Sequence, residues 1–304
     1  MAAILAVVLW LKDREPVYQG RTLSQWLIAY AENQLVPPIP RSQSTNAILV
    51  NEATNAVHHM GTNALPFLVK WMGCEVPKWR QKVPDIIVRA PVPFLGSYLA
   101  NELDFPAVRA GRALSGFEIL RGEAAPAVPA ITQLLQGDCN SRAMSHEVAL
   151  TALMCVGKEG LPPLVKVVTN KAAPTWFRAS AACRLASPVM NLGTNACWAV
   201  PLLLPCLEES NMVRSVVSVL GEWKVDAKDA VPALTRCFRK PDVLVRADAA
   251  GALAAFGREA SPAVPDLLAA TSDKEQLIRV TATRALQRIA PEVLRENGHQ
   301  ASGN

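Results

Sequence analysis

Apolar and polar positions alternate with helical spacing from about residue 47 almost to the C-terminus, in short blocks separated by turns that carry Gly and Pro. The stretch from Pro241 to Ala270 is the clearest. Ala249, Leu253 and Phe256 stand at i, i+4 and i+7 and so share one face of an α-helix. Gly257 follows and predicts a left-handed cap, since glycine alone takes a positive φ without a Cβ penalty. A second helix is expected at once, capped by Ser261, with Pro262 and Pro265 in or beside its first turn, where backbone donors have no helical partner. Leu267 and Leu268 supply its apolar face. The unit is a helical hairpin.

The hairpin recurs. Gly61-Thr-Asn-Ala-Leu-Pro-Phe-Leu-Val-Lys70 and Gly157-Lys-Glu-Gly-Leu-Pro-Pro-Leu-Val-Lys166 share six residues in register, and 96 residues, three units of 32, separate Gly61 from Gly157. Gly193-Thr-Asn-Ala196 repeats Gly61-Thr-Asn-Ala64. First helices are predicted to end near Val57, Leu114, Leu153, Leu185, Leu220, Leu253 and Leu286, and second helices to open near Pro66, Pro129, Pro162, Pro201, Pro232 and Pro265. Arg178, Arg214, Arg246 and Arg279 recur at the start of four first helices. Each is followed at i+3 by Ala181, Val217, Ala249 or Ala282, side chains small enough for close helix packing.

Pro241, Asp242, Val245 and Arg246, with Val213 and Arg214 one unit earlier, resemble the HEAT repeat family, whose loop leads through Val-Arg into an alanine-rich first helix, a Gly turn and a Pro-led second helix. The resemblance spans roughly residues 47–293. It implies an all-α, right-handed α-solenoid of HEAT-like hairpins, an ARM-type superhelix, with second helices lining the concave side. Two places depart from the pattern. Lys224 occupies a turn position that Gly fills elsewhere, and the Pro-rich segment 73–106 is too long for an ordinary connection.

A solenoid grows by adding units, so the 304 residues are read as one repeat domain, 47–294, with an N-terminal helical cap and loop at 15–46 and a frayed tail at 295–304. Strand signals are nearly absent. Thr22 and Gln25 form a capping box, and Leu23, Trp26, Leu27 and Tyr30 face one way on the helix it starts. The block Glu15 to Leu27 resembles the entry block of bacterial, Verrucomicrobia-like HEAT-repeat proteins, where it follows an N-terminal membrane segment. Ahead of it, within 1–14, lies the apolar run Ala2 to Leu11, whose ten residues reach about 15 Å, half a bilayer core. It is read as the end of a membrane helix, with an interfacial anchor or a first core helix as alternatives. Location is accordingly expected to be membrane-associated through the N-terminus, or cytoplasmic if that run is a core helix.

A formal charge of +5 adds a mild bias toward an acidic partner. Seven Cys cannot all pair internally. Cys155, Cys183, Cys206 and Cys237 fall in apolar helical runs and read as small core residues. The pair His146-Glu147 invites comparison with HEAT-type di-iron hydroxylases, which repeat such pairs; one pair is too few, and neither metal nor cofactor is expected. Nucleophile elbows, phosphate loops and dinucleotide fingerprints are missing from the sequence. The carboxylates Glu208-Glu209 and Asp226 to Asp229 read as solvated.

The positional signal lies four residues after the leading Pro of the second helices, where Lys70, Gln133, Lys166 and Arg236 stand, with Pro205 and Ala269 in the remaining units. In the insertion, Lys78, Trp79, Arg80 and Lys82 combine cations with an aromatic ring. That mixture suits nucleic acid by stacking and charge, or simply packs the insertion against the first hairpin. These features predict a non-enzymatic scaffold that binds another protein, acidic in character, through its concave surface. The alternative is an enzyme on the same fold, of bilin-lyase or alkylpurine DNA glycosylase type.

Overall fold

The computed structural model describes residues 15–34, 45–73, 106–136, 143–190 and 192–294. The apolar run 2–11, most of the segment 73–106 with Lys78, Trp79, Arg80 and Lys82, and the tail 295–304 lie outside the described residues. The chain divides into two compact units, residues 1–138 with 142–156, and residues 139–141 with 157–304.

The first unit opens with a small hairpin that helical periodicity does not foresee. Strands β1 (Val17–Tyr18) and β2 (Arg21–Thr22) pair antiparallel around Gln19 and Gly20, both at positive φ. Helix α1 (Leu23–Gln34) follows, and the capping box forms as expected. The Thr22 amide donates to Gln25 Oε1 at 2.9 Å, and the Gln25 amide approaches Thr22 Oγ1 at 3.4 Å. Leu23, Trp26, Leu27 and Tyr30 are all buried, and the Trp26 indole N–H donates to the Tyr18 carbonyl at 3.1 Å, tying hairpin to helix. Among the described residues, helices α2 (Thr45–Met60), α3 (Leu65–Met72), α4 (Pro106–Leu120), α5 (Val128–Leu134) and α6 (Ala143–Val156) follow in this unit. Contacts of α1 with α2, of α1 and α3 with α4, and of α4 and α5 with α6 carry the core of the described residues. Helix α4 corrects the expected register: it continues six residues past Leu114, which is only half-buried, and places Phe117 and Leu120 in the core.

In the second unit, first helices α8 (Thr175–Leu185), α10 (Val213–Trp223), α12 (Val243–Phe256) and α14 (Gln276–Ile289) pack in sequence order. Second helices α7 (Leu161–Thr169), α9 (Val200–Leu203), α11 (Ala227–Phe238) and α13 (Val264–Ala269) form the other layer, with α9 touching both α7 and α11. Ala181, Val217, Ala249 and Ala282 are completely buried, as their position after the recurrent Arg predicts. This two-layer array is the repeat unit of an all-α solenoid.

Corners take a positive φ at Gly61, Gly157 and Gly257, and also at Arg121 and Lys224; Gly257, at φ +57° and ψ −135°, lies outside the left-handed helical region that Lys224 occupies, so the left-handed cap expected there does not form. Lys224 therefore does what glycine does elsewhere, at a cost. Second helices do not follow the corners at once. A 3-10 turn intervenes at Gly61–Ala64, Arg121–Ala127, Gly157–Gly160, Gly193–Ala199 and Gly257–Ala263. Ser261 consequently sits inside such a turn instead of capping α13, and its hydroxyl donates to the Arg258 carbonyl. The run Met144–Thr169 is long and apolar enough to cross a membrane, but half of its most apolar stretch is buried and Gly157, at φ +82°, divides it into α6 and α7.

Candidate functional site

Two kinds of corner feed the second helices. The short kind has a four-residue 3-10 turn, as in Gly61–Ala64 and Gly157–Gly160. The long kind has a seven-residue 3-10 turn and carries the frame Ala-x-x-Ala-Val-Pro at Ala124 to Pro129, Ala196 to Pro201 and Ala260 to Pro265, and the same frame recurs at Ala227 to Pro232 within helix α11. In the frame, the second Ala is buried in every copy, at Ala127, Ala199, Ala230 and Ala263. The residue before it is exposed in every copy: Pro126, Trp198, Asp229 and Pro262.

Helical geometry brings the leading Pro and the residue four places on to the same side of each second helix. That side faces solvent throughout. Lys70, Gln133, Lys166, Pro205, Arg236 and Ala269 are all exposed. Lys70 and Gln133 belong to the first unit, Lys166 and Arg236 to the second. Within the second unit, Lys166 on α7 and Arg236 on α11 flank α9, and neither forms an ion pair with a carboxylate of the described residues.

Trp198 adds what the +4 positions alone do not reveal. It is 49% exposed, and Leu202, one turn further, is 50% exposed. The signal for it was the frame itself, in which Trp stands where two other copies have Pro.

Many other cations of this unit are committed to holding repeats together. Arg178, buried, donates Nε–H to the Val168 carbonyl at 2.8 Å and grips Glu209 with both terminal nitrogens at 2.6 and 3.0 Å. Arg246 repeats the arrangement, with Nε–H on the Phe238 carbonyl at 3.2 Å and Nη2 on Asp273 at 2.5 Å. Each arginine thus clamps the end of the preceding second helix to the loop before the next first helix. Hydrogen bonds from Arg178 hold the Glu209 carboxyl below its ordinary value, and those from Arg246 do the same for Asp273. Lys240 donates to the Leu207 carbonyl and reaches Glu208 at 3.2 Å. Glu208 and Glu209 are therefore bound partners of neighbouring repeats, not merely solvated charges.

Two open depressions exist away from this face. One, of about 630 Å³, lies between α10 and α12 and is crossed by the Arg214–Asp248 pair at 2.7 Å. The other, of about 550 Å³, is lined by Tyr30, Thr54 and the His58–Glu123 pair in the first unit. His146 is fully buried within α6, and among the described residues no three His, Cys, Asp or Glu side chains gather. Cys206 and Cys237 are core residues as expected, and burial pushes the half-buried Cys155 thiol up to about 11; Cys183 is exposed, contrary to its apolar sequence context.

Residues 200–287 match the family model described as HEAT repeats. No curated protein matches the chain. Among solved structures, the chain is similar to human deoxyhypusine hydroxylase in complex with glycerol at 17% identity, over 89% of this chain and 98% of that one, with a TM-score of 0.34. Similarity to one engineered protein is 17% in identity over 95% and 89% of the two chains with a TM-score of 0.43, and to another 15% over 88% and 96% with 0.31. None of the three superposes closely enough to bring an activity to this chain. The family match makes residues 200–287 HEAT repeats, and the recurrent corners and stacked helix pairs of the other described residues follow the same all-α repeat pattern.

Proposed function

We propose that this chain is a non-catalytic scaffold whose second-helix face binds another protein, one that presents an acidic surface. The observation that carries the reading is the exposure of the +4 position on every described second helix, with Lys166 and Arg236 left unpaired while neighbouring cations are consumed between repeats. An exposed cation without a carboxylate partner loses little by desolvation when a partner supplies one, and its field reaches about 10 Å at 0.1 M ionic strength. Synthetic acidic peptides are the direct probe. They are expected to bind the chain with an affinity that falls as salt rises, whereas basic peptides of equal length do not bind. Reversing Lys166 and Arg236 to Glu should abolish that binding while leaving stability within about 0.5 kcal/mol of wild type. Equal binding of basic peptides, or indifference to the reversal, contradicts the reading.

A further inference from the structure

Resting on the reading that the second-helix face binds a protein, we infer that Trp198 is the anchor of that surface, and that the segment it receives carries an apolar side chain next to carboxylates. Three observations converge on α9. First, the frame Ala-x-x-Ala-Val-Pro makes the position of Trp198 solvent-facing in all four copies, so the indole is not required to fill the core. Pro126 and Pro262 build the same corner without it. Second, Trp198 and Leu202 lie at i and i+4, and both are half-exposed beside Pro201 and Pro205. The centre of the patch is therefore apolar and stiff. Tryptophan in such a setting is the residue type that most often dominates an interface. Third, the two helices that touch α9 each end their exposed side in an unpaired cation, Lys166 on α7 and Arg236 on α11.

An apolar centre bracketed by cations selects an apolar side chain bracketed by anions. Asp229 occupies on α11 the position that Trp198 occupies in its own corner, and it is exposed. The centre between the two cations holds Leu202, Pro201 and Pro205 beside a single indole, so a strand with a phosphate at every nucleotide finds no continuous basic track there, which favours a protein segment over a nucleic-acid strand.

The test begins with selection of displayed random short peptides on the full chain. Enriched peptides are expected to place an aromatic or aliphatic residue beside Asp or Glu. Their affinity should fall about tenfold or more in Trp198→Pro, the loss usual for a central interface aromatic. That variant installs the residue of two sister corners, so its melting temperature should match wild type, and Trp198→Ser provides a second variant should the proline disturb the turn. Lys166→Glu with Arg236→Glu should also abolish binding. Peptides that bind both Trp198 variants as well as wild type overturn the anchor, and if they are still lost on the double reversal, the acidic-partner reading stands without it. No enrichment, or binding indifferent to both changes, defeats both. Trp198-dependent binding of a single-stranded oligonucleotide, or Trp198-dependent self-association in sedimentation, likewise overturns the assignment to a protein segment.

Discussion

Individual residues in this chain divide into those that define a corner, those that clamp repeats, and those left over for a partner. Lys224 belongs to the first group. Its φ of +53° places a Cβ-bearing residue where glycine stands in sister corners, so Lys224→Gly should raise stability by about 0.5–1 kcal/mol in denaturant unfolding, and a loss would mean that the lysine side chain makes a contact worth more than the strain. Glu209 belongs to the second. Its carboxyl is held low by Arg178, so its contribution is complete above the ordinary glutamate value and is lost as pH falls through the lower folded-state value. Glu209→Gln should therefore lower stability at neutral pH and flatten the acid-induced decline, whereas an unchanged pH profile would show that the clamp contributes nothing. The arginines were legible as a recurrent position, and their partners were not, because Glu209 and Asp273 lie 31 and 27 residues away from Arg178 and Arg246 and only the stacking of repeats brings them together.

Elements behave as the periodicity of the chain leads one to expect where the core is fed by small residues and single Leu positions. Ala249, Leu253 and Phe256 are buried along one face of α12, and α12 packs on both α10 and α14. The close approach of α10 and α12 has a local cause. A Cβ at Gly221 would meet Ala252 Cβ at 2.9 Å and its Cα at 3.0 Å, whereas a Cβ at Gly251, on α12, would meet nothing within 4 Å. The same substitution should thus have opposite signs. Gly221→Ala should destabilise by about 1 kcal/mol or more after helix propensity is counted, and Gly251→Ala should stabilise by about 0.5–1 kcal/mol. Equal effects at the two sites would refute the packing described for α10 and α12. What periodicity did not disclose was the 3-10 turn between helices. Its donors and acceptors are satisfied locally, so it leaves little apolar signature, and corner lengths of four and seven residues both fit between a Gly and a Pro. Helix α4 runs longer than its pattern predicts for a related reason: Leu114 has the apolar character of a last core residue, but the core is carried by Phe117 and Leu120 beyond it.

At the scale of the whole molecule, the repeat frame was legible because each unit restates the same solution to burying a helix pair, and the surface was legible only in part. The +4 positions follow from the frame, and exposure there is uniform. Trp198 is one of seven tryptophans, and only its place in the corner frame, where two sister copies carry proline, distinguishes its exposed indole from a core residue. The account makes the first helices the side that holds repeats together and the second helices the side that meets a partner. Photo-crosslinking residues introduced one at a time separate these roles. Within the second unit, second-helix positions Lys166, Leu202 and Arg236 are to be compared with the exposed first-helix positions Glu222 and Gly251 in the intact chain in cells. The account predicts one common crosslinked protein from the second-helix positions, lost when Lys166 and Arg236 are reversed in the Leu202 probe, and little from Glu222 or Gly251. Crosslinks of equal yield from the first-helix positions, or none from the second, would contradict it.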